Sequence, residues 1–412
     1  MFHRRQFLTD TLKGSSLVAL SAVVPQFVSR TAEAAPAGKD HVLVVVEMTG
    51  GNDGLNTVIP YADDLYHKAR PTLRQTKDVV IRLDDHVGLN SGMRSFRPLW
   101  EKGQLAVVQG VGYPNPERSH FEAMDIWQSG EARPSRTGWL GRAAVECDNR
   151  SGGVPILHLG PNRQPLAVAG APGGGAVTVG DQNLFRLDLH GGKAAQQKAR
   201  RKLLEDLSAP PVVAADNDLA SFVQRRQVQT LTAVETLRAL LEGPGAMASQ
   251  GNGLRQKLQL VAGLIAREFG TRIFYVSLDG FDTHANQAPA HSALLGDLAD
   301  SINGFFQTLK TTGHDGRVRL MTFSEFGRRV PENGSRGTDH GAGSCLFVAG
   351  PSVKGGVVGK HPSLADLDAD DLKFHTDFRR VYATLLDGWL GCDSKAVLGG
   401  GWDHVSELEP KA

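Results

Sequence analysis

Five short apolar runs rich in β-branched residues punctuate the chain: HVLVVVEM (41–48), QLAVVQGV (104–111), RIFYVSL (272–278), RVRLMTF (317–323) and SCLFVAG (344–350). Runs of this length, apolar at nearly every position, predict strands buried on both faces. Helical periods lie between them. From 292 to 312, apolar residues recur at Leu294, Leu295, Leu298, Ile302, Phe305, Phe306 and Leu309, close to the 3.6-residue repeat. Strand, helix and strand in alternation predict an α/β fold, a three-layer sandwich around a mainly parallel sheet. The middle of the chain differs. GAPGGGAVTVG (170–180) reads as loop, and from about 195 to 268 only helical periodicity survives, through Leu219, Phe222, Val223, Leu231, Val234, Leu237 and Leu241. This predicts a helical insertion on the α/β body. KARRK (198–202) reads as a solvated face of one of its helices.

The first 34 residues carry a different pattern. Arg4 and Arg5, followed by Phe7 and Leu8, precede the apolar run SLVALSAVVPQFV and then Ala32-Glu33-Ala34. This order matches a twin-arginine signal peptide with a small-residue cleavage site, leaving a mature chain from Ala35. Pro25 interrupts an apolar run already short for a bilayer, so no membrane span is expected in the mature chain. The predicted location is periplasmic or otherwise exported, with the twin-arginine machinery as a partner. The 412 residues are 41% hydrophobic and 22% charged with a formal net charge of +1. Nucleic acid is therefore not an expected partner. Cys147, Cys345 and Cys392 lack metal-ligand spacing. An oxidising compartment permits one disulfide among them.

Polar clusters follow the strands. Asn52 and Asp53 come after the first, and Ser119 and His120 after the second. Asp279, Asp282 and His284 follow the third, and Glu325 and Arg328 the fourth. Asp339 and His340, flanked by Gly337 and Gly341, precede the fifth. The C-terminal ends of parallel strands lie together, and ligands bind there. Asp and His are the ligand set of zinc or a harder divalent ion. Acids gathered at one place repel unless a cation or proton sits among them. Each motif alone has a plainer reading: an Asp capping a turn, or Ser119 as a helix N-cap. His291 and His314 read as surface residues.

Several longer stretches resemble an exported bacterial family, domain of unknown function 1501. They are GGNDGLNTVIPY, NPERSHFEAMDIWQSG, TGWLGR, GFDTHANQ, FSEFGRRVPENGSRGTDHG and HTDFRRVYATLLDGWLG. That family is placed in the alkaline phosphatase and sulfatase superfamily. The resemblance implies an alkaline phosphatase-like fold with one or two divalent metal ions (zinc, manganese or magnesium). It implies Asp282, His284 and His340 as ligands of a first metal, with Asp339 ligating or orienting an imidazole. At the second metal the sequence departs from the superfamily, which ends the penultimate strand in Asp-His. Here Glu325 is followed by Phe326. Glu325 with Asp53 would make an all-oxygen second site, or one metal alone remains. Alternatively, the Asp339–His340 pair supplies the second site and His375 completes the first. The superfamily nucleophile is a hydroxyl or modified Cys at a helix start, ten residues before a Gly. Counting back from Gly130 reaches His120, so Ser119 is the expected nucleophile and His120 its base or a metal ligand. Arg118, Arg328 and Arg329 would hold the oxyanion.

Three functions follow from these expectations. The first is a metal-dependent hydrolase of a small anionic phosphate or sulfate ester. The second is a non-catalytic binding or assembly protein on an inherited hydrolase fold. The third is a metal-dependent phosphomutase or transferase, against which export counts, because activated phosphosugars are scarce outside the cytoplasm.

Overall fold

The apolar runs become strands close to where their patterns put them. The computed structural model describes residues 41–131, 135–147, 154–160, 163–170, 176–179 and 253–409. Strands Val42–Thr49 (β1), Leu105–Gly112 (β2), Ile273–Asp279 (β5), Val318–Phe323 (β6) and Ser344–Ala349 (β7) correspond to the five runs. Ile156–Leu159 (β3), Ala176–Val179 (β4), Gly356–Val358 (β8) and Thr376–Asp377 (β9) join them. The order across the sheet is β8-β2-β7-β6-β1-β5-β3-β4, with β9 beside β2. β1 lies inside, paired in parallel with β5 and β6, so both its faces are covered. This is why its Val42–Val46 run does not alternate with polar residues.

One strand runs the other way. β7 is antiparallel to both of its neighbours, β2 and β6. Its first residue therefore lies at the edge where β6, β1 and β5 end.

Helices cover the two faces of the sheet, giving the three layers that the strand-helix alternation predicts. On one face are His120–Ser129 (α1), Trp139–Glu146 (α2) and Phe378–Leu385 (α5). They share a core with Leu43, Val45, Tyr275, Met321, Phe323 and Val348. Flat rings fill it: Trp127 stacks on Phe378 at 4.3 Å between centroids, and Trp139 on Tyr382 at 4.1 Å. Leu254–Ala266 (α3) and Gln287–Thr311 (α4) pack together in the other layer, α3 against β5. The predicted insertion thus loses its last part to the sandwich, since α3 belongs to the layer. Residues 195–252 of that insertion and the 1–34 signal lie outside the described residues. Cys147, at the end of α2, is bonded to Cys392. Cys345 is free. No helix among the described residues is long and apolar enough to cross a membrane.

The alternation that turns Leu43 and Val45 toward α1 also turns Glu47 there. Its carboxylate accepts from the Tyr275 hydroxyl at 2.6 Å and from Gln128 Nε2 at 3.1 Å. Burial lifts its pKa from 4.5 to about 7, with the nearby Glu325 charge adding to the lift. An acid whose folded pKa is raised binds its proton more tightly in the folded state. The Glu47 contribution to stability is then greatest below pH 4.5, falls as pH rises to about 7, and stays low above. Glu47→Gln removes this loss. At pH 8 the variant is expected to be more stable than wild type by on the order of 3 kcal/mol. At pH 4.5 the two should melt together, as measured by thermal unfolding at both pH values. Equal shifts at both would show that folding does not raise the Glu47 pKa.

Candidate functional site

Three loops meet at the edge where the parallel strands end, the last of them at both its ends. The segment after β2 starts α1 and brings Ser119 and His120. The turn after β5 brings Asp282 and His284, and the turn after β6 brings Glu325, Phe326 and Arg328. The segment entering β7 brings Asp339 and His340, and it reaches this edge because β7 is antiparallel. A β-bridge between Arg328 and His340 closes the base of the 325–343 loop. The two glycines around the Asp-His pair are needed for contact. A Cβ on Gly337 would lie 2.2 Å from the His284 backbone, and one on Gly341 2.5 Å from that of Arg328.

Asp282 is the centre of the cluster. Its Oδ1 lies 3.0 Å from His284 Nε2 and 3.3 Å from His340 Nε2, and its Oδ2 3.5 Å from His120 Nε2. The His284 and His340 Nε2 atoms are 3.0 Å apart. His120, Asp282 and His340 each offer a ligand atom within 4.8 Å of the others, a group fit to hold a metal ion. Burial alone would raise the Asp282 pKa. The hydrogen bond and charge of Arg328 outweigh this and hold it at about 2. His120 is shifted upward, chiefly by its hydrogen bond to Glu325, while burial pushes His340 down.

The remaining residues singled out in the sequence take other positions. Asp53 is fully buried in a two-pronged pair with Arg70, at 2.6 and 3.1 Å, and also accepts from Gln287. Burial would raise its pKa, but the Arg70 charge keeps it below the usual range. With both oxygens occupied it does not join Glu325 in an all-oxygen site. Glu325 is itself buried and accepts from Gly50 N at 2.9 Å and His120 Nδ1 at 2.8 Å. Asp339 stands behind His284, 3.4 Å from its Nδ1, and accepts from Asn333 Nδ2 at 3.1 Å. His375 lies apart, bonded to the Lys360 carbonyl. Ser119 holds the N-cap position of α1, yet its hydroxyl makes no capping bond and the residue is exposed.

Two of the three arginines read as oxyanion ligands, Arg328 and Arg118, have opposite characters. Arg328 is 1% exposed. It donates to the carbonyls of Gly51, Thr338, Phe281 and Gly50 and to Asp282 Oδ1. Its role is to brace, not to contact a ligand. The Arg118 side chain is 40% exposed and bonds Asp371 at 2.5 Å. His291, read as a surface residue, is buried and bonds Asn52 Oδ1 at 2.9 Å.

Sequence reading missed Arg70, Asn333 and Phe326 as parts of the site. Phe326 packs its ring 4.9 Å from His120 and 4.7 Å from His340. It sets apolar carbon beside two of the imidazoles, at the position after Glu325 where the resemblance had implied another ligand. Only its place beside Glu325 marked it in the sequence.

A family model described as Protein of unknown function (DUF1501) matches residues 100–403. No curated protein matches the chain. Solved structures that resemble it include the lipoteichoic acid synthase LtaP from Listeria monocytogenes, at 9% identity and a TM-score of 0.35. That alignment covers 76% of this chain and 65% of the other, so the chain spans just under two thirds of that structure. A protein in the alkaline phosphatase superfamily from Vibrio parahaemolyticus aligns at 10% identity and a TM-score of 0.39, covering 91% and 71%. The PsFucS1 sulfatase from Pseudoalteromonas sp. aligns at 12% identity and a TM-score of 0.36, covering 94% and 76%. At these scores the likenesses decide nothing about activity.

Arg328→Ala is expected to cost ~3–5 kcal/mol, because it strips buried carbonyls and a carboxylate of their donor. Arg118→Ala should cost less, about 1–3 kcal/mol, since it leaves only the buried Asp371 carboxylate short of a donor. Denaturant unfolding of both variants checks this. Equal losses would contradict the assignment of brace and exposed arginine.

Proposed function

We propose that this chain, which belongs to the family described as Protein of unknown function (DUF1501), is an exported metal-dependent hydrolase of phosphate or sulfate esters. The observation that carries this reading is the meeting of Asp282, His284 and His340, with His120 beside them and the exposed Ser119 one residue before it at the start of α1. The donor set fits a divalent ion: imidazole nitrogens and a carboxylate oxygen, close enough to share one ion. Asp282, His284 and His340 would hold it. When bound, such an ion supplies Lewis-acid polarisation of the ester oxygen and lowers the pKa of a nearby hydroxyl.

The chain's own groups do the rest. The first N–H groups of α1 have no partner within the helix and suit an anionic ester. Arg118 adds a positive charge one residue before Ser119. Ser119 Oγ attacks the phosphorus or sulfur, the bond to the alcohol oxygen breaks, and the alcohol leaves with a proton. Water then hydrolyses the seryl ester and restores the hydroxyl. Arg328 keeps Asp282 in place throughout. The Cys147–Cys392 bond supports the exported location, since such bonds persist in oxidising compartments.

A second reading rests on Phe326 and Asp53. With a ring beside His120 and a carboxylate bound to Arg70, the second metal site of the superfamily pattern has no free ligands. A protein that binds an anionic ligand or partner without turnover would tolerate that loss. The two readings part in one experiment. The purified chain, supplied with zinc or manganese, is assayed on aryl phosphates and aryl sulfates. The hydrolase reading expects turnover that a chelator abolishes and that Ser119→Ala lowers by ~1,000-fold or more. Binding of inorganic phosphate with no turnover of either ester class would leave the second reading in its place.

A further inference from the structure

We infer that His120 is a fourth ligand of a single cation centre, completing with His284, His340 and Asp282 a site of three nitrogens and one oxygen. Such a site favours zinc or a neighbouring transition ion over magnesium or calcium. The inference rests on the cation of the hydrolase reading and fixes the role of His120, which the sequence left open between base and ligand.

The tautomers carry it. Each of the three imidazoles turns Nδ1 toward an acceptor outside the cluster. His120 Nδ1 lies 2.8 Å from Glu325 Oε1, and His340 Nδ1 2.9 Å from the Arg118 carbonyl. His284 Nδ1 lies 3.4 Å from Asp339 Oδ1. A carbonyl and a carboxylate only accept, so the Nδ1 atoms of His120 and His340, at 2.8 and 2.9 Å from theirs, carry the proton. In a neutral imidazole that leaves Nε2 as a bare lone pair. For His284, whose Nδ1 contact is the long one, the other nitrogen decides: its Nε2 faces Arg328 Nη1, which only donates.

Three lone pairs thus point at one carboxylate, at 3.0, 3.3 and 3.5 Å, and two of them meet at 3.0 Å. They repel unless positive charge lies among them. Four atoms bound tetrahedrally to an ion at 2.0–2.1 Å stand about 3.3–3.4 Å from one another. The contacts of Asp282 with the three rings and that between His284 and His340 bracket this spacing, and His120 offers its ligand atom within 4.8 Å of those of Asp282 and His340. The other acids sit one layer out. Glu325 holds the far nitrogen of His120, Asp339 that of His284, and Asp53 is bound to Arg70. Such outer partners fix ring orientation and ligand basicity. With its lone pair directed at the ion, His120 is not the base for Ser119.

The test uses the full chain, stripped of metal and titrated with Zn²⁺ or Mg²⁺ alone. Calorimetry gives affinity and elemental analysis gives stoichiometry. Co²⁺ replaces zinc for visible spectra, which report coordination independently of turnover. One zinc per chain is expected, with magnesium failing to displace it. His120→Asn should weaken zinc binding at least ~10-fold and alter the cobalt spectrum. Glu325→Gln keeps His120 but changes its acceptor, and should shift the same spectrum. Wild-type affinity and spectrum in His120→Asn would overturn the assignment, as would two zinc ions per chain. Failure to bind any ion would overturn it together with the hydrolase reading. Zinc bound as described, with no ester turnover, would support the four-ligand centre and remove the hydrolase reading alone.

Discussion

The site depends on one buried guanidinium. Arg328 comes from the turn after β6 and donates to backbone carbonyls in the turns after β1 and β5 and in the segment before β7. Each of these stretches is irregular, with carbonyls that no sheet ladder takes up. A planar fork with several fixed N–H directions can satisfy them at once, where an ammonium could not hold the same geometry. Its last bond goes to Asp282, so the same group that joins the loops also orients the carboxylate at which three histidines meet.

A second buried arginine works behind the first. Arg70 neutralises Asp53 and reaches the carbonyls of Val330 and Arg329, the residues that follow Arg328. Two ion pairs thus stand in series. One is sealed from solvent, and the other is open on its carboxylate side, where the Asp282 side chain is 47% exposed. The sealed pair is structural because nothing can reach it. The open pair retains a face on which chemistry can occur.

The sheet was largely legible in the sequence, because strands buried on both faces must be apolar at almost every position, as Val42–Val46 are. Much of the cluster was legible too, because strand ends gather at one edge; this holds for Asp282, His284 and His340. The short strands β3, β4, β8 and β9 were not, since two to four residues give no period to read. Nor was the division between inner and outer groups. Asp53 and Asp282 both follow strands, both beside glycine-rich turns, and nothing local separates them. What separates them is which arginine arrives from elsewhere in the chain, and how much of it is buried. Arg328 was misread for the same reason. An arginine beside acids looks like a clamp until its N–H groups are found directed at main-chain carbonyls. His291 shows the reverse error, since a histidine in a helix gives no sign that Asn52 waits beneath it.

The antiparallel course of β7 has a further meaning. Because one strand leaves this edge and the next enters from it, residues 325–343 form a closed excursion, clipped at its neck by the Arg328–His340 bridge. Glu325, Phe326, Asp339 and His340 all ride on that single cassette. Its length and sequence can drift without moving any strand out of register. The sheet is then a fixed chassis, and one clipped hairpin carries both the brace and one ligand to the carboxylate and imidazoles that the other loops supply.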